Sequence, residues 1–353
     1  MNTKIVKLES LEHNEEKLME AAKILQEGGL VAFPTETVYG LGADGLNSEA
    51  AAKIYSAKGR PSDNPLILHI ADMDMVSKLA KNISEDAMKV MNAFWPGPLT
   101  VILDKTDIVP YGTTGGLDTV AIRMPSHPVA RELIHIANAA VAAPSANTSG
   151  RPSPTTAQHV IQDLDGKIDM IVDGGKVGIG IESTIVDMTG ENPMILRPGY
   201  ITKPMLEEVV KKTVKIDPAI LTKEGMNGVR PKAPGMKYKH YAPKGDLTIV
   251  SGDNIEKVVG KIHELVEEKQ KEGYRVGIIA TDETVSQYGE GIVKSIGSRN
   301  DEVSISVGLY SVLREFDDEG VDFIYSEAFE QDDFGQAIMN RLLKAAGYSI
   351  IKV

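Results

Sequence analysis

Ala57-Lys58-Gly59-Arg60-Pro61-Ser62-Asp63-Asn64-Pro65-Leu66-Ile67-Leu68-His69-Ile70 carries a helix end, a polar loop bounded by prolines, and a short apolar strand. The helix before it reads Ser48-Glu49-Ala50-Ala51-Ala52-Lys53-Ile54-Tyr55-Ser56-Ala57-Lys58. Ser48 is the expected N-cap, alanines fill the middle, and Gly59 is the expected C-terminal stop. Lys58 and Arg60 therefore leave the helix end together. Such a pair suits phosphate or carboxylate oxygens, Lys as a point charge and Arg as a flat fork. On these residues alone a solvated basic helix end fits equally well.

Outward from this stretch, a helix–strand alternation recurs. The spacing of Leu18, Ala21, Ala22 and Leu25 predicts an amphipathic helix over 15–26. Leu30-Val31-Ala32-Phe33 predicts a buried strand, which runs into Pro34-Thr35-Glu36-Thr37-Val38-Tyr39-Gly40-Leu41-Gly42-Ala43-Asp44, read as a ligand loop or a glycine-bearing turn. Beyond Ile70, Asp72 is placed to cap a helix, and a second helix over 84–94 stops at Trp95-Pro96-Gly97-Pro98. Strands are expected at 99–103 and 119–125. Arg123 on a buried strand needs an anionic partner or a cleft. A strand at 141–143 opens into Pro144-Ser145-Ala146-Asn147-Thr148-Ser149-Gly150-Arg151-Pro152-Ser153-Pro154, followed by a helix over 155–164. Loops at strand ends are where an α/β sheet collects ligands. Further strands are expected at 169–172, 183–187 and 194–197, the last ending on Arg197. The glycine run 174–180 lacks the Gly-Lys-Ser/Thr ending of a phosphate loop.

The chain has 353 residues, enough for two cores. No apolar run is long enough to span a bilayer, and the polar start is no signal peptide. The absence of cysteine excludes disulfides, thiolate metal sites and cysteine nucleophiles, and fits a cytoplasmic protein. A net charge of −12 argues against tight non-specific nucleic-acid binding. Its distribution is uneven: residues 218–245 hold six Lys/Arg against one Glu, between two acidic blocks. That segment lacks periodicity and is rich in proline and glycine, so it is expected to be an extended linker. Its second half, Pro234-Gly235-Met236-Lys237-Tyr238-Lys239-His240-Tyr241-Ala242-Pro243, is basic and aromatic, which a mere spacer does not need.

From Leu247 onward strands are expected at 247–250, 275–280, 292–296 and 321–326, and helices at 253–272, 282–288, 302–317 and 335–346. This alternation implies a parallel sheet flanked by helices. It carries no glycine fingerprint for a dinucleotide and no catalytic constellation. The domain boundaries are set at 1–217, 218–245 and 246–353.

Four features, Lys58-x-Arg60, Ser145-x-Asn147, the loop from Pro34 to Leu41 and the basic linker, together resemble the YrdC-like family in its long, two-domain, threonylcarbamoyl-adenylate synthase form. The resemblance spans nearly the whole chain. It implies an α/β fold: a twisted mixed sheet with helices, plus a Rossmann-like parallel α/β domain at the C-terminus. It implies a nucleotidyltransferase making threonylcarbamoyl-adenylate and pyrophosphate from L-threonine, bicarbonate and ATP, for modification of tRNA beside the anticodon. By motif position, Lys58, Arg60, Ser145 and Asn147 are the catalytic set. Thr35, His69, Arg123, Ala143 and Ser183 would bind threonine. Lys58, Ser62, Thr119, Ser145, Ser153, Arg197 and Tyr241 would bind ATP, with Tyr241 folding back from the linker as a lid. Mg²⁺ is expected on the nucleotide rather than on protein side chains, and the transfer to tRNA belongs to partner proteins. A weak tRNA contact is compatible with this, a membrane is not. The rival is an RNA-binding or nucleotide-sensing module without turnover, against which stand the acidic charge and the lack of closely spaced aromatics.

Overall fold

Alternation within short aliphatic runs builds the first sheet. The computed structural model describes residues 2–8, 14–220, 231–234, 240–329 and 333–353. Its chain divides into two units. One comprises Met1–Ser149, Ser153–Gly178 and Glu182–Lys237; the other comprises Gly150–Pro152, Ile179–Ile181 and Tyr238–Val353.

The strands of the first unit are β1 (Lys4–Lys7), β2 (Val31–Phe33), β3 (Gly40–Asp44), β4 (Ile67–His69), β5 (Ala80–Lys81), β6 (Leu99–Lys105), β7 (Thr119–Arg123), β8 (Val141–Ala142), β9 (Met170–Asp173), β10 (Thr184–Asp187), β11 (Met194–Arg197) and β12 (Lys215–Ile216). They form one sheet in the order β1-β9-β2-β3-β8-β4-β7-β6-β10-β11-β12, with β5 on β6. Pairing is mixed: β4 and β7 are parallel, while β6 and β7, and β2 and β3, are antiparallel. Within β2, Val31 and Phe33 pack with Leu18, Leu25 and Leu133 on one face. Leu30 and Ala32 pack with Ile54, Leu68 and Val90 on the other. The period of two in a strand thus serves helices on both faces.

The helix Ser48–Lys58 is capped by Asn47, not Ser48: Asn47 Oδ1 accepts from the backbone N–H of Glu49 and Ala50. It stops at Gly59, whose φ of +63° is left-handed. The presumed ligand loop after Phe33 is shorter than the sequence suggests, because Gly40–Asp44 folds as β3. Glycine permits this: a Cβ on Gly42 would stand 2.7 Å from Phe33 Cε1 and 2.9 Å from Val141 Cγ1. β1 also escapes the apolar pattern, since it is an edge strand with exposed lysines.

In the second unit, β13 (Asp246–Ser251), β14 (Val276–Ala280), β15 (Ile292–Ser295), β16 (Phe323–Glu327) and β17 (Ile350–Lys352) are all parallel, in the order β15-β14-β16-β13-β17. Helices Ile255–Lys271, Glu302–Asp318 and Asp333–Ala345 follow β13, β15 and β16. The helix expected at 282–288 is only a 3-10 turn, Val285–Gln287. There the Thr284 hydroxyl accepts from the Thr281 N–H at 3.1 Å, a local bond that competes with helix. The unit also owns two tripeptides, 150–152 and 179–181, from within the stretch otherwise belonging to the first. Arg314, 1% exposed, donates to Pro152 O through Nη2 at 2.6 Å and Nε at 3.1 Å. Ser306 Oγ donates to Ile179 O at 2.6 Å.

Where it is described, the basic segment includes a buried residue. Ala233 is fully buried with Ile67, Ile102, Ala121, Ile185 and Leu196 of the first unit. Residues 221–230 and 235–239 lie outside the described residues, and with them most of what the sequence suggested for this segment.

Candidate active site

Register places the charged strand residues in one row. His69 pairs with Val141 and Arg123, Arg123 with Thr100, Thr100 with Ile185, and Ile185 with Arg197. The row crosses six strands. The intervening residues Leu68, Ile122 and Val101 face the opposite side and fill the main core, so the polar row shares its face with Ile67, Ala121 and Ile102.

Arg123 is 4% exposed, and of the two possibilities its burial left, an anion or a cleft, it has the anion, Glu36. Its Nη2 donates to Glu36 Oε1 at 2.6 Å, Nη1 to Thr37 Oγ1 at 2.9 Å and Nε to Gly97 O at 3.4 Å. Burial pushes the Glu36 pKa up, but Arg123 together with the backbone N–H groups of Glu36 and Ser126 outweighs it and the net shift is downward, so the carboxylate stays ionised. His69 is driven down to about 3, by burial first and by the Arg123 charge second. It is a neutral imidazole at physiological pH, its Nδ1 facing Ile67 O at 3.2 Å. Thr35 Oγ1 donates to Val38 O at 2.7 Å and lies 2.9 Å from Thr37 Oγ1, so this hydroxyl shapes its own loop.

A second cluster surrounds Lys58, 2% exposed. Its ammonium donates to Ser145 O, and to Asn147 O at 2.5 Å, with Asn147 Oδ1 at 3.4 Å. Ser145 Oγ donates to Asn147 Oδ1 at 2.6 Å. The two sequence pairs, 87 residues apart, are thus one structure in which the lysine ties down the loop. β3 holds this loop to the row: Leu41 N donates to Pro144 O, and Gly40 bridges Ser145. Ala143 lies between, its N–H on Ile67 O. Arg60 turns back on the polar loop, Nη2 to Pro65 O at 3.2 Å. Lys58 also lines a cavity of about 770 Å³ with Lys53, Lys167, Glu27 and Asp169.

A third cluster ends the row. Arg197, 5% exposed, donates through Nε to Ser183 O at 3.0 Å and through Nη2 to Ser183 Oγ at 3.1 Å. Ser183 Oγ is 2.8 Å from Thr100 Oγ1. Arg197 Nη1 meets Pro234 O at 3.4 Å, which draws the middle of the basic segment to the site. Ser153, 1% exposed, donates to Glu182 Oε1 at 2.5 Å.

The structure therefore joins Thr35, His69, Arg123, Ala143, Ser183 and Arg197 along one sheet face, and Lys58, Ser145 and Asn147 beside its β3–β8 end. Ser62 is exposed on its loop. Thr119 starts β7 and Arg123 ends it, roughly 13 Å away at strand rise. Tyr241 belongs to the second unit, where it stacks on Tyr310 at 5.3 Å. Glu36, Thr37, Thr100 and Glu182 were not singled out in the sequence. Glu36 could have been found, since a strand-end carboxylate is the natural counter-ion for Arg123; Thr100 and Glu182 carry no local signal.

Two family models cover the chain. One described as telomere recombination matches residues 23–199, and the threonylcarbamoyl-AMP synthase C-terminal domain matches 201–347. A threonylcarbamoyl-AMP synthase of Pyrococcus abyssi is 48% identical over 96% of this chain and 96% of its own. This chain belongs to the threonylcarbamoyl-AMP synthase family. A Bacillus subtilis member is 48% identical over 98% of this chain and 97% of its own length. The crystal structure of the Pyrococcus abyssi Sua5 protein complexed with L-threonine superposes with a TM-score of 0.92 at 45% identity, covering 100% of both chains. The likeness to these synthases thus extends through both units and includes the parallel domain, for which no catalytic residues were found in the sequence.

Proposed function

We propose that this chain condenses L-threonine, bicarbonate and ATP to threonylcarbamoyl-adenylate and pyrophosphate. The likeness to synthases along the full length carries this reading, and the buried cationic row is the chemistry that suits it. Threonine's amine adds to carbon dioxide derived from bicarbonate, giving a carbamate. A carbamate oxygen then attacks the α-phosphorus, and the bond to the pyrophosphate oxygen breaks in line. Such a reaction asks for positioned cations more than for a strong base.

In this reading Arg123 receives the threonine carboxylate, and neutral His69 borders it without adding charge. Ser183 presents its hydroxyl to the amino acid, and Arg197, braced by Ser183, faces the nucleotide. Lys58, through the loop it grips, and Arg60 serve the triphosphate, while Asn147 orients Ser145. Ser62, Thr119 and Ser153 complete the nucleotide contacts within the first unit. Mg²⁺ would arrive with the triphosphate and offset its charge, and among the described residues no cluster of His, Asp and Glu is placed to hold it. Among the described residues no helix is long and apolar enough to cross a membrane, and work in the cytoplasm fits the cysteine-free chain. The product is a mixed anhydride, and transfer to tRNA falls to partner proteins.

The test is a rapid-quench mass-spectrometric assay with ATP, Mg²⁺, bicarbonate and threonine. The expected result is threonylcarbamoyl-adenylate with equimolar pyrophosphate, lost when threonine or bicarbonate is omitted and at least about 100-fold reduced in Lys58→Ala. Folded protein that binds ATP but forms neither product would point to a sensor instead, and salt-sensitive tRNA binding without turnover to an RNA-binding module.

A further inference from the structure

The ion pair at the centre of the row is asymmetric. Arg123 meets Glu36 through Oε1 alone; the backbone N–H groups of Glu36 and Ser126 lie near enough to favour the carboxylate's charge, yet Oε2 is buried and makes no well-formed hydrogen bond. A carboxylate whose only task was to neutralise arginine would use both oxygens in a bidentate pair. A buried carboxylate oxygen without a donor is costly, so its place invites a donor that arrives with the substrate. Lysine and arginine side chains do not fill it: no ion pair other than that with Arg123 reaches Glu36 among the described residues. His127 lies within reach of the Glu36 charge, which raises its pKa against the larger lowering by burial. Its Nδ1 is likewise buried without a partner, so it does not satisfy Oε2 either.

We propose that Glu36 Oε2 accepts a hydrogen bond from the amino group of the amino-acid substrate, so that Glu36 and Arg123 together read a zwitterion. The inference rests on threonine as substrate. Arg123 uses only part of its five-donor guanidinium on Glu36, Thr37 and Gly97, which leaves N–H groups for the α-carboxylate. The α-amino group one carbon away then finds the free oxygen of the carboxylate already fixed to that arginine. A carbamate nitrogen keeps one N–H, so the contact outlasts the addition of carbon dioxide. Glu36 is thus a substrate-positioning and selectivity residue, and need not hold the proton that the amine loses.

Calorimetric titration of the full-length protein with L-threonine and with (R)-3-hydroxybutyrate tests this. The second ligand keeps the hydroxyl, methyl and carboxylate and lacks only the amine. Wild type should prefer threonine by at least about 30-fold, the size of a charge-assisted hydrogen bond, and Glu36→Gln should cut the preference to within about threefold. Glu36→Asp should retain an intermediate preference. Equal weakening of both ligands in Glu36→Gln would mean a purely structural role and overturn the inference, as would an undiminished preference. Should Glu36→Gln not fold, the wild-type comparison decides: equal affinity for the two ligands sinks the inference. Absence of any threonine binding by wild type would instead overturn the threonine reading itself, and this inference with it.

Discussion

His69 shows how burial sets chemistry at a single residue. In the unfolded chain its pKa is near 6.5; in the native state it is about 3. The folded value is the lower one, so between these limits the unfolded chain binds a proton that the native state refuses. Stability is therefore lost as pH falls through 6.5, and the loss is complete near 3. Between pH 7.5 and pH 5, wild type should lose about 2 kcal/mol more than His69→Gln, read from urea denaturation at the two pH values. Equal losses would mean that His69 is protonated in the native state. Arg123 and Glu36 complement this: the ion pair charges the site while the imidazole beside it stays neutral.

At the scale of an element, the helix Ser48–Lys58 acts as a rod that delivers an ammonium to a loop. Asn47 fixes its start and Gly59 its end, so Lys58 is held at the last turn, where Ser149 N also bonds the Lys58 carbonyl at 2.9 Å. A Cβ on Gly59 would meet nothing within 4 Å, so Gly59→Ala would cost only the left-handed backbone, about 1 kcal/mol in chemical denaturation. No clash adds to this, and a loss beyond about 3 kcal/mol would show that the helix end is under further strain. The helix and its stop were legible in sequence because glycine and alanine periodicity are local signals. The true cap was not, since Asn47 and Ser48 are both good caps and the choice depends on where the chain enters from β3. β3 itself was missed for a related reason: its glycines read as a turn, and only the close approach of Phe33 and Val141 explains them.

Across the whole molecule, the chain does not divide where its composition shifts. Tripeptides 150–152 and 179–181 belong with the C-terminal domain, bonded by Arg314, Ser306 and by Asp317, which pairs with Arg151 at 3.3 Å. Gly150–Pro152 lies directly between Asn147 and Ser153 in sequence, so the second unit holds a segment that flanks two expected site residues. A chain ended at residue 237 should keep its mixed sheet but leave the Pro152 and Ile179 carbonyls without these donors. The expected outcome is faster proteolytic cleavage around 150–152 and at least about tenfold less product per enzyme, checked by limited proteolysis and the quench assay. Unchanged cleavage and turnover would show that the tripeptides are held without the domain.

The amino-acid sequence by itself determined the two α/β layers, most strand and helix positions, and the pairs Lys58/Arg60 and Ser145/Asn147, because hydrophobic period, glycine stops and short motifs act over a few neighbours. It also showed that Arg123, on a buried strand, had to find an anion or a cleft. Only the tertiary structure decided that the anion is Glu36, that His69, Thr100 and Arg197 fall in one row with it, and that Lys58 grips the Ser145–Asn147 loop. These follow from strand register and from the order β8-β4-β7-β6-β10-β11, which joins segments far apart in the chain. Pairing of that kind is set by the burial of all the strands together, and no single stretch of sequence contains it.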